Sequence, residues 1–231
     1  MFVPIYDENP LKSFRVAFVN IGLILVNCVV FLLETTRMSH GTIAGFAVVP
    51  TELLGFASSI QVVPQSQGVA LPEQLTLITY MFLHGDIFHL ASNMLFLWVF
   101  GDNVEDALGH FNYLLFYLAC GIAAGLMHAL MMPTSSLPLV GASGAVAGVI
   151  AAYLMLHPRV RVWVLAFRFI PLRLSAAFVL GAWILTQIIM LVLPNTEQIA
   201  WWAHIGGLIA GAVLVLFLRR PGVVLFGRRV A

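Results

Sequence analysis

The chain has 231 residues, 61% of them hydrophobic and only 9% charged, whereas soluble domains carry about 25% charged residues. That composition excludes an ordinary soluble domain and points to a protein made mostly of membrane spans, with the lipid bilayer as its first partner. A formal net charge of +1 gives no electrostatic case for nucleic acid.

Residues 1–14 read as a polar cytoplasmic segment containing Pro4 and Pro10. The first apolar run predicts span 1 over 15–34. It is too long for a signal-peptide core and shows no clear cleavage site, so a retained anchor is expected; Asp7 and Glu8 argue against a transit peptide. Residues 35–83 are apolar but broken by Pro50, Pro64 and Pro72. They predict a structured first external loop lying partly in the membrane interface. Five more spans follow over 88–106, 111–131, 143–157, 174–193 and 201–218, and residues 219–231 form a basic cytoplasmic tail. Residues 15–218 therefore read as one membrane domain of an all-α, six-transmembrane-helix protein. Cys28 and Cys120 fall in apolar runs and read as small buried residues, not as a disulfide or a metal site.

Basic residues set the orientation. Lys12 and Arg15 precede span 1. Arg159, Arg161, Arg168 and Arg173 lie between spans 4 and 5, and Arg219, Arg220, Arg228 and Arg229 follow span 6. Only Arg37 falls on the other side. Both termini are expected in the cytoplasm. Spans 2, 4 and 6 then all run inward, which brings His89 and Asn93, Ser143, and His204 to a similar depth near the outer face. The odd spans carry few polar groups: Asn20 and Asn27, His128, and Thr186 with Gln187.

Ser143 lies between Gly141 and Gly144, and small residues recur behind it at helical spacing. Gly207 and Gly211, i and i+4, give span 6 a matching bare face, with His204 one turn before Gly207. Bare faces let helices approach closely, so Ser143 and His204 are expected to meet inside the membrane. A serine hydroxyl needs an adjacent base to become a nucleophile, and a neutral imidazole serves. Ser143 starts a helix, so unpaired backbone N–H groups face an oxyanion there. His89 and Asn93 share a face and supply further donors. No acidic residue in span 6 lies at the depth of His204, so the expectation is a Ser–His dyad. Span 4 is too short to cross alone, which predicts a submerged, hydrated cavity at its outer end. Gly207 is expected to face span 4, and Gly206→Val to be milder than Gly207→Val because it points about 100° away.

Quieter roles are expected elsewhere. Glu105, with Gly101 and Gly109, caps and packs the inner end of span 2. His84 bonds the external loop. His40, His110 and His157 are solvated at span edges. Trp201 and Trp202 form an interfacial belt, and Trp183 faces lipid.

These motifs, in this order and spacing, resemble the rhomboid intramembrane serine proteases: His84-Gly85-Asp86-Ile87-Phe88-His89 with Asn93, Gly101-xxx-Glu105-xxx-Gly109, Gly141-Ala142-Ser143-Gly144, and Ala203-His204-xx-Gly207-xxx-Gly211. The resemblance runs over nearly the whole chain. It implies a rhomboid-like bundle with Ser143 as nucleophile and His204 as base. It implies an oxyanion site of His89, Asn93 and the Ser143 amide, and substrates that are transmembrane proteins cut near the outer end of a span. Two departures stand out. Ala147 occupies the position where many relatives carry an aromatic residue against the histidine, and the Trp-Arg pair of the first external loop is missing.

No cofactor is implied and no metal. The competing readings are a non-catalytic rhomboid-like factor that binds membrane proteins, for which Ser143 and His204 are superfluous, and a transporter or channel, which expects charges along a through-path. A metalloprotease lacks its HExxH motif. The expected location is a prokaryotic plasma (inner) membrane. The oligomeric state and the natural substrate are not legible.

Overall fold

The computed structural model describes residues 2–55, 71–166, 169–193 and 200–227. Pro64, Arg168, Arg228 and Arg229, and the His40 side chain, lie outside what is described. The elements in chain order are β1 (Phe2–Asp7), α1 (Phe18–Arg37), α2 (His40–Ala44), α3 (Pro50–Leu53), α4 (Glu73–Thr79), α5 (Ile87–Phe96), α6 (Asp102–Leu108), α7 (His110–Met131), α8 (Ser143–Leu156), β2 (Arg161–Ala166), β3 (Ile170–Ser175), α9 (Ala176–Val192) and α10 (Trp201–Leu218). A π turn over Leu97–Gly101 joins α5 to α6 into one long helix.

Helix α8 is the hub. Gly144 through Tyr153 and Leu156 are all buried. Its neighbours reach it through glycines. A Cβ added at Gly207 would lie 1.9 Å from the Gly144 carbonyl oxygen, and one at Gly211 would lie 2.3 Å from that of Gly148. Neither site has room for any side chain, so α10 rests backbone to backbone on α8. On another side of α8 the Cys120 thiol of α7 fills the space beside Gly148. Apolar rows face outward instead: Leu25, Val29 and Leu32 on α1, and Leu185, Ile188 and Val192 on α9 are exposed. Exposed apolar surface of this extent is what a lipid-facing exterior requires. Helices α1, α7 and α10 are each long and apolar enough to cross a membrane, and α8 and α9 are shorter apolar helices. Cys28 sits on the exposed face of α1 and only Cys120 is buried, so the buried reading holds for one of the two.

The all-α expectation needs correction. Strands β1, β2 and β3 form an antiparallel sheet in that order, with Phe2 opposite Ala166 and Arg161 opposite Ser175. In β2, Val162, Val164 and Ala166 point inward and alternate with more exposed residues, the period-two pattern of a half-buried strand. Pro4 is tolerated because β1 is an edge strand, and the register shifts between Pro4 and Tyr6. The Asp7 carboxylate accepts the Tyr153 hydroxyl from the far end of α8, so the sheet closes the bundle at that end.

The opposite end is closed by the segment between α1 and α5. The Val48 N–H donates to the Leu139 carbonyl at 3.1 Å, and the Leu139 N–H returns a bond to Val48 at 2.8 Å. The Thr51 N–H donates to Ser135, and the Gly141 N–H to Tyr80, at 3.2 and 2.9 Å. The segment leading into Ser143 is thus held by Val48, by Thr51 of α3 and by Tyr80 in the turn after α4. The expected structured loop is present in its described parts, residues 35–55 and 71–83.

Glu105 has a different task from the one expected. Its buried carboxylate accepts the N–H groups of Val19 and Asn20 at 3.1 and 2.7 Å and pairs with His110. Ala17 is the N-cap of α1 and gives it no side-chain cap of its own. Glu105 therefore caps α1 from another helix, and its negative charge suits a helix N-terminus. His110 is not simply solvated: it stacks between Phe14 and Phe18, at ring-centroid distances of 4.1 and 3.8 Å. His157 is half-buried and packs edge-on against Tyr153.

Candidate active site

Ser143 is the first residue of α8, and among the described residues no side chain caps that helix start. Gly141 before it has a φ of +122°, a backbone conformation that suits glycine. A Cβ there would lie 2.6 Å from the His89 ring, so Gly141 also makes room for the imidazole. The bend at Gly141 turns the chain from the external loop into α8 and presents the serine at the head of the helix.

His204 arrives from the first turn of α10. Its Nε2 lies 2.9 Å from Ser143 Oγ. The close approach at Gly207 and Gly144 sets this distance, because any side chain at Gly207 drives α10 away from α8. The sequence-based pairing of the two residues is reproduced in space.

His89 and Asn93 come from α5. Asp86 caps that helix by accepting the N–H groups of Phe88 and His89 at 2.7 and 2.9 Å. The same two bonds, that from His89 foremost, hold the Asp86 carboxyl below its ordinary value. The cap fixes the first turn of α5, and His89 faces Gly141 just before the serine. Asn93 is buried, and among the described residues its Nδ2 has no hydrogen-bond partner. A buried amide donor without a partner is uncommon in folded proteins. The His84 ring packs edge-on against His89 at 5.1 Å, while its backbone N–H meets the Glu34 carboxylate of α1 at 3.3 Å. Among the described residues neither ring nitrogen of His84 has a hydrogen-bond partner, so its side chain does not make the expected bond to the loop.

Three side chains escaped sequence reasoning. The Oε1 of Gln187, on α9, lies 2.7 Å from His204 Nδ1. Trp183 and Trp201 flank the imidazole, each with its ring centroid 5.9 Å away. Neither tryptophan therefore serves lipid alone, as was expected of Trp183 and of the belt residue Trp201. The aromatic contact absent at Ala147 is supplied from α9 and from the start of α10. The signal was available as Trp183 and Gln187 at i, i+4 spacing, which puts both on one face of an otherwise apolar helix. What the sequence could not give was the rotation of α9 about its axis.

The arrangement defines a class: a mostly helical, multi-pass membrane protein whose serine and histidine meet where two glycine-faced helices touch. The family model described as "Rhomboid domain" matches residues 72–221, and the chain belongs to the Rhomboid family. It is 30% identical over 161 residues to the RHOMBOID-like protein 12, mitochondrial, of Arabidopsis thaliana, covering 63% of this chain and 46% of that one. It is 34% identical over 167 residues to the Rhomboid protease GluP of Bacillus subtilis, covering 70% of this chain and 29% of that one. It is 28% identical over 199 residues to the Presenilin-associated rhomboid-like protein, mitochondrial, of Rattus norvegicus, covering 82% and 46%. The chain spans less than half the length of each of these relatives. Since they include organellar and bacterial proteins, they do not support the prokaryotic assignment.

Proposed function

We propose that the chain is an intramembrane serine endopeptidase that cuts transmembrane proteins near one end of a span. The observation that carries this reading is the 2.9 Å contact between Ser143 Oγ and His204 Nε2 at a helix start without a side-chain cap. In this reading Oγ attacks the scissile carbonyl as Nε2 takes its proton. The oxyanion is met by the Ser143 N–H, the free Asn93 amide and the His89 ring. Collapse of the tetrahedral intermediate breaks the C–N bond, and the imidazolium returns its proton to the leaving amine. Water, activated by the same imidazole, then hydrolyses the acyl-serine and restores Oγ–H.

Six spans are proposed, with α5, the π turn and α6 together as the second. Both termini lie on the cytoplasmic side, where basic residues concentrate. The sheet and the segments before α1 and after α10 belong to that side. Helix α8, 14 residues long, rises roughly 21 Å, short of the hydrocarbon thickness of about 30 Å. Ser143 therefore lies below the outer surface, and the loop leading to it lines a cavity that water must fill.

Labelling with a serine-directed fluorophosphonate tests this reading. The wild-type protein is expected to label, and Ser143→Ala and His204→Ala to lose the label while staying folded. Equal labelling of Ser143→Ala removes Ser143 as the nucleophile.

A further inference from the structure

We propose that Gln187 is a positioning residue that fixes the tautomer of His204, so that the base is competent only while α9 is seated on the bundle. The inference rests on the protease reading above, and extends it to a helix that carries none of the motif residues.

The hydrogen-bond pattern leaves one assignment. Gln187 Nε2 donates to the Trp183 carbonyl at 3.1 Å, one turn back in α9. The amide's other end, Oε1, therefore faces His204 Nδ1 at 2.7 Å. A carbonyl oxygen only accepts, so Nδ1 carries the proton. A neutral imidazole then has its lone pair on Nε2, the nitrogen 2.9 Å from Ser143 Oγ. The opposite tautomer would set an Nε2–H against the serine and remove the base. It would also set a bare Nδ1 against Oε1, two lone pairs face to face. Gln187 supplies orientation without charge, in the place where soluble serine hydrolases use a carboxylate.

Burial points the same way. Within residues 181–192 of α9, Gln187 is the one buried residue; Leu185, Thr186, Ile188 and Ile189 are exposed. Packing alone would favour an apolar side chain at that position, because a glutamine inside a membrane bundle is costly unless both ends of its amide are bonded. Both ends are bonded, one to the base and one to the helix that carries it. Trp183 reinforces the arrangement by setting its ring against His204 and against Phe96 of α5, with centroids at 5.9 and 6.0 Å. Any displacement of α9 removes the acceptor on Nδ1 and one aromatic wall together.

The test uses the full-length protein in detergent with Gln187→Met and Gln187→Glu. Methionine keeps length and loses the acceptor; glutamate keeps the acceptor and adds charge. Gln187→Met is expected to lower kcat by about 10- to 100-fold with KM and Tm near wild type, as loss of a group acting through the base does. It should move the acidic limb of the kcat profile to lower pH, because the imidazolium loses an acceptor. Gln187→Glu should retain most of the turnover and move that limb to higher pH, because a carboxylate favours the imidazolium. A purely structural role predicts losses of Tm and kcat together and an unmoved limb in both variants, and that result overturns the proposal. A readout that needs no activity separates this failure from failure of the protease reading. In protein labelled with 15N-histidine, the His204 signals, assigned by their loss in His204→Gln, should show a protonated Nδ1 and an unprotonated Nε2 at neutral pH. Gln187→Met should give a mixture of tautomers. A protonated Nε2 in the wild type contradicts the proposal whether or not the protein cleaves anything.

Discussion

Asn93 carries a buried amide donor, Nδ2, that no described residue satisfies. Its side chain is on α5, one turn after His89. If it donates to the oxyanion, Asn93→Ala lowers kcat by roughly 10²- to 10³-fold, the loss expected for one such donor, with KM little changed. A rise in KM alone would make Asn93 a binding residue instead. Ser143→Ala removes one hydroxyl from a helix start with no other change in packing, so activity is lost and Tm is kept. Glu105 belongs to the same scale but to stability. Glu105→Ala leaves the first N–H groups of α1 without their acceptor and strands the stacked His110, at a cost of about 1 kcal/mol or more. Thermal unfolding of the variant measures it, and an unchanged Tm would show that water caps α1 equally well.

Helices meet here through missing side chains, and each bare face has its own partner. Gly207 touches the Gly144 carbonyl oxygen on α8. A Cβ at Gly206, about 100° around α10, would lie 2.6 Å from Met127 Cβ and 3.0 Å from the Ala123 carbonyl oxygen of α7. The expectation that Gly206→Val is milder than Gly207→Val therefore does not extend to stability. Both variants overpack, at about 1–3 kcal/mol each, and both should lower Tm. They differ in how the damage reaches the site. Gly207→Val separates Ser143 from His204 directly, and a shift of about 1 Å costs on the order of 10²-fold in rate. Gly206→Val strains the α7 contact, so its loss of rate should be smaller than its loss of Tm suggests. Comparable rates for the two at equal stability would contradict this division. The strand β1 offers a pH test. Burial pushes the Asp7 carboxyl up from 3.8 to about 6, against the Tyr153 bond that lowers it. A raised carboxyl favours the folded state while protonated, so docking of β1 is firmest below about pH 4 and weakens as pH rises through about 6. Hydrogen exchange of the β1 amides should be slower at pH 5 than at pH 7.5 in excess of the intrinsic pH effect, and Asp7→Asn should remove that excess.

At the scale of the whole molecule, much was legible and the rest was hidden for physical reasons. The apolar runs located the long helices α1, α7 and α10 and the shorter apolar helices α8 and α9, because lipid-facing helices write their length into composition. The spacing of Gly141, Ser143 and Gly144 with His204, Gly207 and Gly211 located the meeting of α8 and α10, because only small residues permit it. The sheet was missed: strands of six residues leave weak patterns, and β1 and β2 lie more than 150 residues apart along the chain. Glu105 lies at the expected end of span 2 but caps α1 instead, and the contact of Gln187 with His204 is not foreseen, since neither the reach of a side chain to a distant helix nor the rotation of α9 is written locally. The resulting picture is a bundle sealed by a sheet at one end and a loop at the other, with a Ser–His pair between glycine faces and a glutamine behind the base. The most direct test places the purified protein in lipid vesicles with a single-span substrate protein and maps the products by mass spectrometry. The account predicts one main cut, within or just beside the span, by the wild type, and no cut by Ser143→Ala or His204→Ala. A substrate cleaved at the same bond by Ser143→Ala, or cleaved only far from the membrane, would contradict it.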